Sequence, residues 1–204
     1  MASTTSPNPK PPTKIGVILF PGFQLLDVAG PIDALNILSM TRTLHLSILA
    51  ATLDPVSTRH HATATTGSDF AQSIVPTHTF DNPPEDLEVL IIPGGIGARK
   101  DENVEPVVQF VKKVFPTLRW CLTVCTGSWV LARTGLLDGK RATSNKRAFG
   151  TVSLLICFFL SFSSSVSISA GIEEVFIIAL VASFGLLADM MLLRSRSSVP
   201  RWTG

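Results

Sequence analysis

The sequence predicts an α/β domain built on a mostly parallel sheet, and three observations carry that prediction. Continuous apolar runs at 15–20 (IGVILF) and 87–92 (LEVLII) suit strands buried on both faces. Helical spacing recurs between strands, most clearly at Val104, Val107, Val108, Val111 and Val114. Pro and Gly follow the strands and turn the chain. Strands alternating with helices imply a sheet covered on both sides. Sites in such sheets form beyond the carboxyl ends of the strands.

Taken in order, residues 1–13 are rich in Ser, Thr and Pro and hold no apolar run, so a disordered tail is expected there rather than a secretory leader. The strand at 15–20 stops at Pro21-Gly22. The loop PGFQLLDVAGP then sets Asp27 among apolar neighbours, and Pro31 suits the first position of a helix IDALNIL. Residues 44–51 read as a second strand. The Thr- and Ser-rich stretch 56–80 reads as an excursion of short antiparallel strands. LEVLII ends in PGGIG, and a helix over 103–115 is stopped by Pro116. Segment 118–135 (LRWCLTVCTGSWVLARTG) joins a β-prone half to a helix SWVLAR closed by Gly135. A turn at 136–139 leads to a strand at 140–144. The α/β domain is expected over 14–149.

Composition excludes several classes. At 204 residues the chain holds one domain, or one domain and an appendage. A net charge of +2 does not suggest nucleic-acid binding. Cys121, Cys125 and Cys157 lack Cys-x-x-Cys spacing, against a disulfide framework or zinc knuckle. His45, His60, His61 and His78 are scattered, and the His60–His61 pair is expected to be solvated, with no metal bound. The expected location is cytoplasmic.

Three loops at one sheet edge carry useful groups. Cys125 lies at a strand-to-helix turn, where unpaired N–H groups favour a thiolate, and Gly127 leaves room for the turn. The ordinary reading is a small buried cysteine. Asp27, partly desolvated, suits proton transfer, though a helix N-cap is the simpler role. The Thr126 N–H, with one from Gly94, Gly95 or Ile96, can form an anion hole. Alone, PGGIG is an ordinary tight turn. The Thr126 hydroxyl can hold water or substrate, or cap a helix.

FPGFQLLDVAGP, IIPGGIG and VCTGSWVLARTGLLDGKRATSN, in that order, resemble the ThiJ/PfpI superfamily of class I glutamine amidotransferase-like proteins, and within it the isonitrile hydratase branch. The resemblance covers about 14–149. It implies a flavodoxin-like three-layer sandwich, commonly a homodimer, acting on a small molecule without metal or organic cofactor. It also implies Cys125 as nucleophile, Thr126 assisting, and Asp27 as acid/base. Asn145 stands where many relatives carry histidine, which turns the reading from a Cys-His hydrolase towards an Asp-assisted lyase, with Asn145 at the substrate. An amidase or glyoxalase-like hydrolase, and a non-catalytic cysteine redox sensor, are the alternatives.

Residues 150–204 depart from the family pattern. No charge occurs from 148 to 172, long enough to span a membrane, yet the run is full of serine. A membrane hairpin over 150–193 competes with an altered reading of the gene, and abrupt loss of strand and helix patterning at Gly150 favours the latter.

Overall fold

The computed structural model describes residues 10–138, Ser144 and 174–178. Its elements are β1 (Lys14–Ile18), α1 (Leu25–Ser39), β2 (His45–Ala50), β3 (Val56–Ser57), α2 (His61–Thr65), β4 (Ser73–Ile74), β5 (His78–Thr79), β6 (Val89–Ile92), α3 (Asp101–Val114), β7 (Trp120–Val124), α4 (Gly127–Ala132) and β8 (Glu174–Ile178). Six strands form one sheet in the order β5-β2-β1-β6-β7-β8, every pair parallel. This is the flavodoxin-like α/β architecture.

The apolar runs explain the centre of the sheet. All four residues of β6 are buried, as are Ile15, Val17 and Ile18 of β1. Each such side chain contributes roughly 1.5–3 kcal/mol on leaving water. Gly16 leaves room for side chains of the neighbouring strands: a β-carbon there would sit 2.8 Å from the Leu49 side chain. α3 buries Val104, Val107, Val108, Phe110, Val111 and Val114, and carries Asp101 and Glu102 in its first turn and Lys112 and Lys113 in its last. Those charges match the helix dipole.

From β1 the chain moves to β2 on one side and later returns to β6 on the other. The direction of winding therefore reverses between β1 and β6, whose carboxyl ends open the crevice where doubly wound sheets place their ligands. β7 lies next to β6, so the Cys125 turn faces the same crevice.

Several expectations change. Residues 10–13 are held in place: Arg119 donates to the Lys10 carbonyl at 2.9 Å, and the Thr13 N–H donates to Glu88 at 2.7 Å. α1 begins at Leu25, with Pro31 inside it as its seventh residue, where proline lacks the N–H that would bond the Asp27 carbonyl one turn back. The 56–80 excursion is one antiparallel pair, β3–β4, around the short helix α2, and β5 instead joins the main sheet parallel to β2. His60 is half-buried against the Gly22 turn, its Nδ1 buried without a hydrogen-bond partner among the described residues, while His61 is exposed. β8 pairs with β7 from Trp120↔Glu174 to Val124↔Ile178, so strand patterning resumes beyond Gly150. The strand at 140–144 apart from Ser144, the tail at 1–9 and the rest of 150–204 lie outside the described residues. No helix among the described residues is long and apolar enough to cross a membrane.

Candidate active site

Cys125 follows β7 with φ 54°, the left-handed region, and is the one non-glycine residue with positive φ among those described. Such a conformation costs about 1–3 kcal/mol and persists where the surroundings overdetermine it. Here Gly127 lets the chain press against β6: a β-carbon on it would collide with the Ile92 carbonyl. The Ser128 hydroxyl donates to the Cys125 carbonyl at 3.2 Å and shares a 2.7 Å bond with the buried Ser144 hydroxyl. The turn thus lifts a half-buried sulfur out of the sheet. Cys121, four residues earlier, is fully buried, and burial pushes its thiol up to about 12. It is inert where Cys125 is presented.

Asp27 sits in the first turn of α1 and is only 2 % exposed. It caps nothing, and the N-cap Gln24 makes no side-chain bond either. Its Oδ2 instead accepts the Gly94 N–H at 3.0 Å, and its carboxylate also accepts the Cys125 thiol. Burial holds the Asp27 carboxyl above the ordinary carboxylate range, while the Gly94 amide and the Cys125 thiol pull it partly back. A buried base poised above its usual range, bonded to a presented thiol, is a proton acceptor and donor in place.

The glycine loop closes over this pair. Gly94 has no room for a methyl: a β-carbon there would lie 2.5 Å from Thr126 Oγ1 and 3.0 Å from Asp27 Oδ2. The Gly95 N–H donates to Thr126 Oγ1 at 3.0 Å, so that hydroxyl keeps its own proton for another acceptor. Thr126 is not a side-chain cap for α4. The amides of Gly94 and Gly95, two of those expected to face an anion, are therefore bonded to Asp27 and Thr126. Of the groups named from sequence, the N–H groups of Ile96 and Thr126 make no such bond among the described residues. Asn145 lies outside the described residues. Asn103 went unnoticed in the sequence: its Nδ2 donates to the Pro21 carbonyl at 3.2 Å and the Gly97 carbonyl at 3.1 Å. No motif marks an asparagine in the first turn of a helix as a bridge between two distant loops.

Fold and site together define a class: doubly wound α/β domains with a strained cysteine turn facing a buried carboxylate at the switch point of the sheet. The chain belongs to the DJ-1/PfpI family, whose profile matches residues 13–155. It is 36% identical over 132 residues to an isonitrile hydratase from Pseudomonas putida, across 65% of this chain and 52% of that one. It thus spans about half the length of that relative. It is 31% identical over 138 residues to the HTH-type transcriptional regulator GbdR of Pseudomonas aeruginosa, across 65% of this chain and 34% of the regulator. A ThiJ/PfpI family protein from Pseudomonas syringae superposes with a TM-score of 0.68 at 26% identity, covering 94% of this chain and 74% of that one.

Proposed function

We propose that the chain is a cysteine-dependent lyase that hydrates isonitriles to N-substituted formamides. The observation that carries this reading is the hydrogen bond between the Cys125 thiol and the buried Asp27 carboxylate. Similarity to the P. putida isonitrile hydratase supports the same chemistry. Asp27 takes the thiol proton as the sulfur attacks the terminal isonitrile carbon. It then returns that proton to the same carbon, which leaves a thioimidate, R–N=CH–S–Cys125. Water adds to this carbon while a proton moves to nitrogen. The C–S bond then breaks, the thiol recovers its proton, and R–NH–CHO leaves. One water is consumed per isonitrile and the protein is regenerated. The Thr126 hydroxyl, held by the Gly95 amide, positions the water.

The test is incubation of the purified full chain with an aryl isonitrile, with formamide measured by chromatography. Cys125→Ser and Asp27→Asn are expected to lower turnover by roughly 10²–10⁴-fold. Asp27→Asn should still be alkylated at Cys125. Full turnover in Asp27→Asn excludes the proton-transfer role.

The match to a transcriptional regulator over the same stretch favours one second reading, a sensory domain without turnover. There, peroxide would oxidise Cys125 to a sulfenic acid, and isonitriles would not be consumed.

A further inference from the structure

The two loops that frame Asp27 meet backbone to backbone. Gly97 N–H donates to the Gly22 carbonyl at 2.9 Å, Gln24 N–H to the Gly94 carbonyl at 2.8 Å, and Gly94 N–H to Asp27. β-carbons on Gly95 and Gly97 would collide with the Gly22 and Pro21 carbonyls, so side chains are excluded from the seam. Its outer end, where the loops leave the sheet, is bridged by the Asn103 amide. Both of its neighbours are carbonyls, so only the NH2 end of the side chain satisfies the site. Among the described residues, no other side chain bonds both loops.

We propose that Asn103 is a positioning residue: it locks the Pro21–Gln24 loop to the Gly94–Gly97 loop, and so holds the Asp27 carboxylate against Cys125. Asn103 touches neither reacting group and acts through the seam. The proposal rests on the reading of Cys125 and Asp27 as the working pair, but its test does not require turnover. Without the bridge, the first loop relaxes outward and Asp27 reaches water.

The experiment measures the rate of Cys125 alkylation by iodoacetamide against pH in the full chain. The variants are Asp27→Asn, Asn103→Leu (near-isosteric, no donor), Asn103→Ala and, as control, Thr117→Val. The control removes a bond from Thr117 to the Val114 carbonyl at the far end of α3 and so weakens the fold without touching the seam. Loss of the Asp27 charge is expected to lower the midpoint of the profile, because a carboxylate no longer opposes the thiolate. Asn103→Leu and Asn103→Ala are expected to move the midpoint the same way by about half a pH unit, with Tm close to that of the control. Where isonitrile turnover is present, kcat should fall by about tenfold with KM little changed.

A profile for both Asn103 variants that superimposes on wild type, while Asp27→Asn shifts, overturns the clamp and leaves the pair intact. No shift even in Asp27→Asn removes the pair and the clamp together. A shift in the control equal to that of Asn103→Leu also overturns the proposal, since general loosening then accounts for it. If one Asn103 variant does not fold, the other decides.

Discussion

The Asp27 carboxyl is costly to the fold. It is buried with the amide of Gly94 and the thiol of Cys125 as its partners, and its proton affinity is raised over that of an unfolded chain. The folded state therefore binds the proton more tightly, and stability falls as pH rises through the ordinary carboxyl range towards the raised value. Asp27→Asn keeps an oxygen for the Gly94 amide and removes the charge. The variant is expected to melt higher than wild type by a few degrees at neutral pH, and the gap should close near pH 3, where both side chains are neutral. Calorimetry across that range checks it, and a gap that stays constant with pH removes the electrostatic explanation. Cys125 carries a cost of its own in backbone form, with its positive φ.

At the level of elements, the seam between strands is tied at both ends. The carboxyl ends meet at the site, while the amino ends of β1, β6 and β7 are gathered by Glu88. Burial alone would push the Glu88 carboxyl up, yet the Thr13 N–H, the Arg119 guanidinium and the Lys14 N–H hold it below its usual range. A lowered carboxyl stabilises fully above its unfolded value and loses that contribution as pH falls through its folded one. Glu88→Gln is expected to cost about 1–2 kcal/mol at pH 7, in urea melts, and almost nothing near pH 2. Unchanged stability at pH 7 would remove Glu88 as a clamp. The elements themselves were largely legible. The apolar runs of β1 and β6 and the valine spacing of α3 are local signals, and they marked those elements to within two residues. Pro31 misled, since proline suits a helix start, yet the helix begins six residues earlier and Asp27 belongs to it. His60 misled for another reason: polar sequence around it gave no sign that the Gly22 turn packs against its side chain.

For the molecule as a whole, the sheet extends past β7. β8 gives β7 a parallel partner along its full length, although the sequence between them departs from the family pattern. Without that partner β7, the strand that carries Cys125, would present a row of unpaired backbone groups on one side. Successive N–H groups of a strand point to opposite sides, so one of Val175 and Phe176 directs its N–H to β7. Of Val175→Pro and Phe176→Pro, one is therefore expected to remove a ladder bond and lower Tm, and the other to leave the ladder intact. Equal melting temperatures for the two variants and wild type would show that β8 adds nothing to the sheet. The same strand bears on the two readings of 150–204. Residues 174–178 pair with β7 as part of the sheet, which is all that the described residues say of that stretch.

Hydrophobic periodicity and turn chemistry act over a few residues, so the main strands and helices up to the cysteine turn, and the glycine loop, could be read along the chain, but not the order of strands in the sheet. Contact between Asp27 and Cys125, the engagement of the Gly94 and Gly95 amides, the bridge from Asn103 and the docking of β8 are long-range. They depend on where parallel crossovers deliver each loop, and on which buried polar groups then find partners. Only the packed sheet settles those two things.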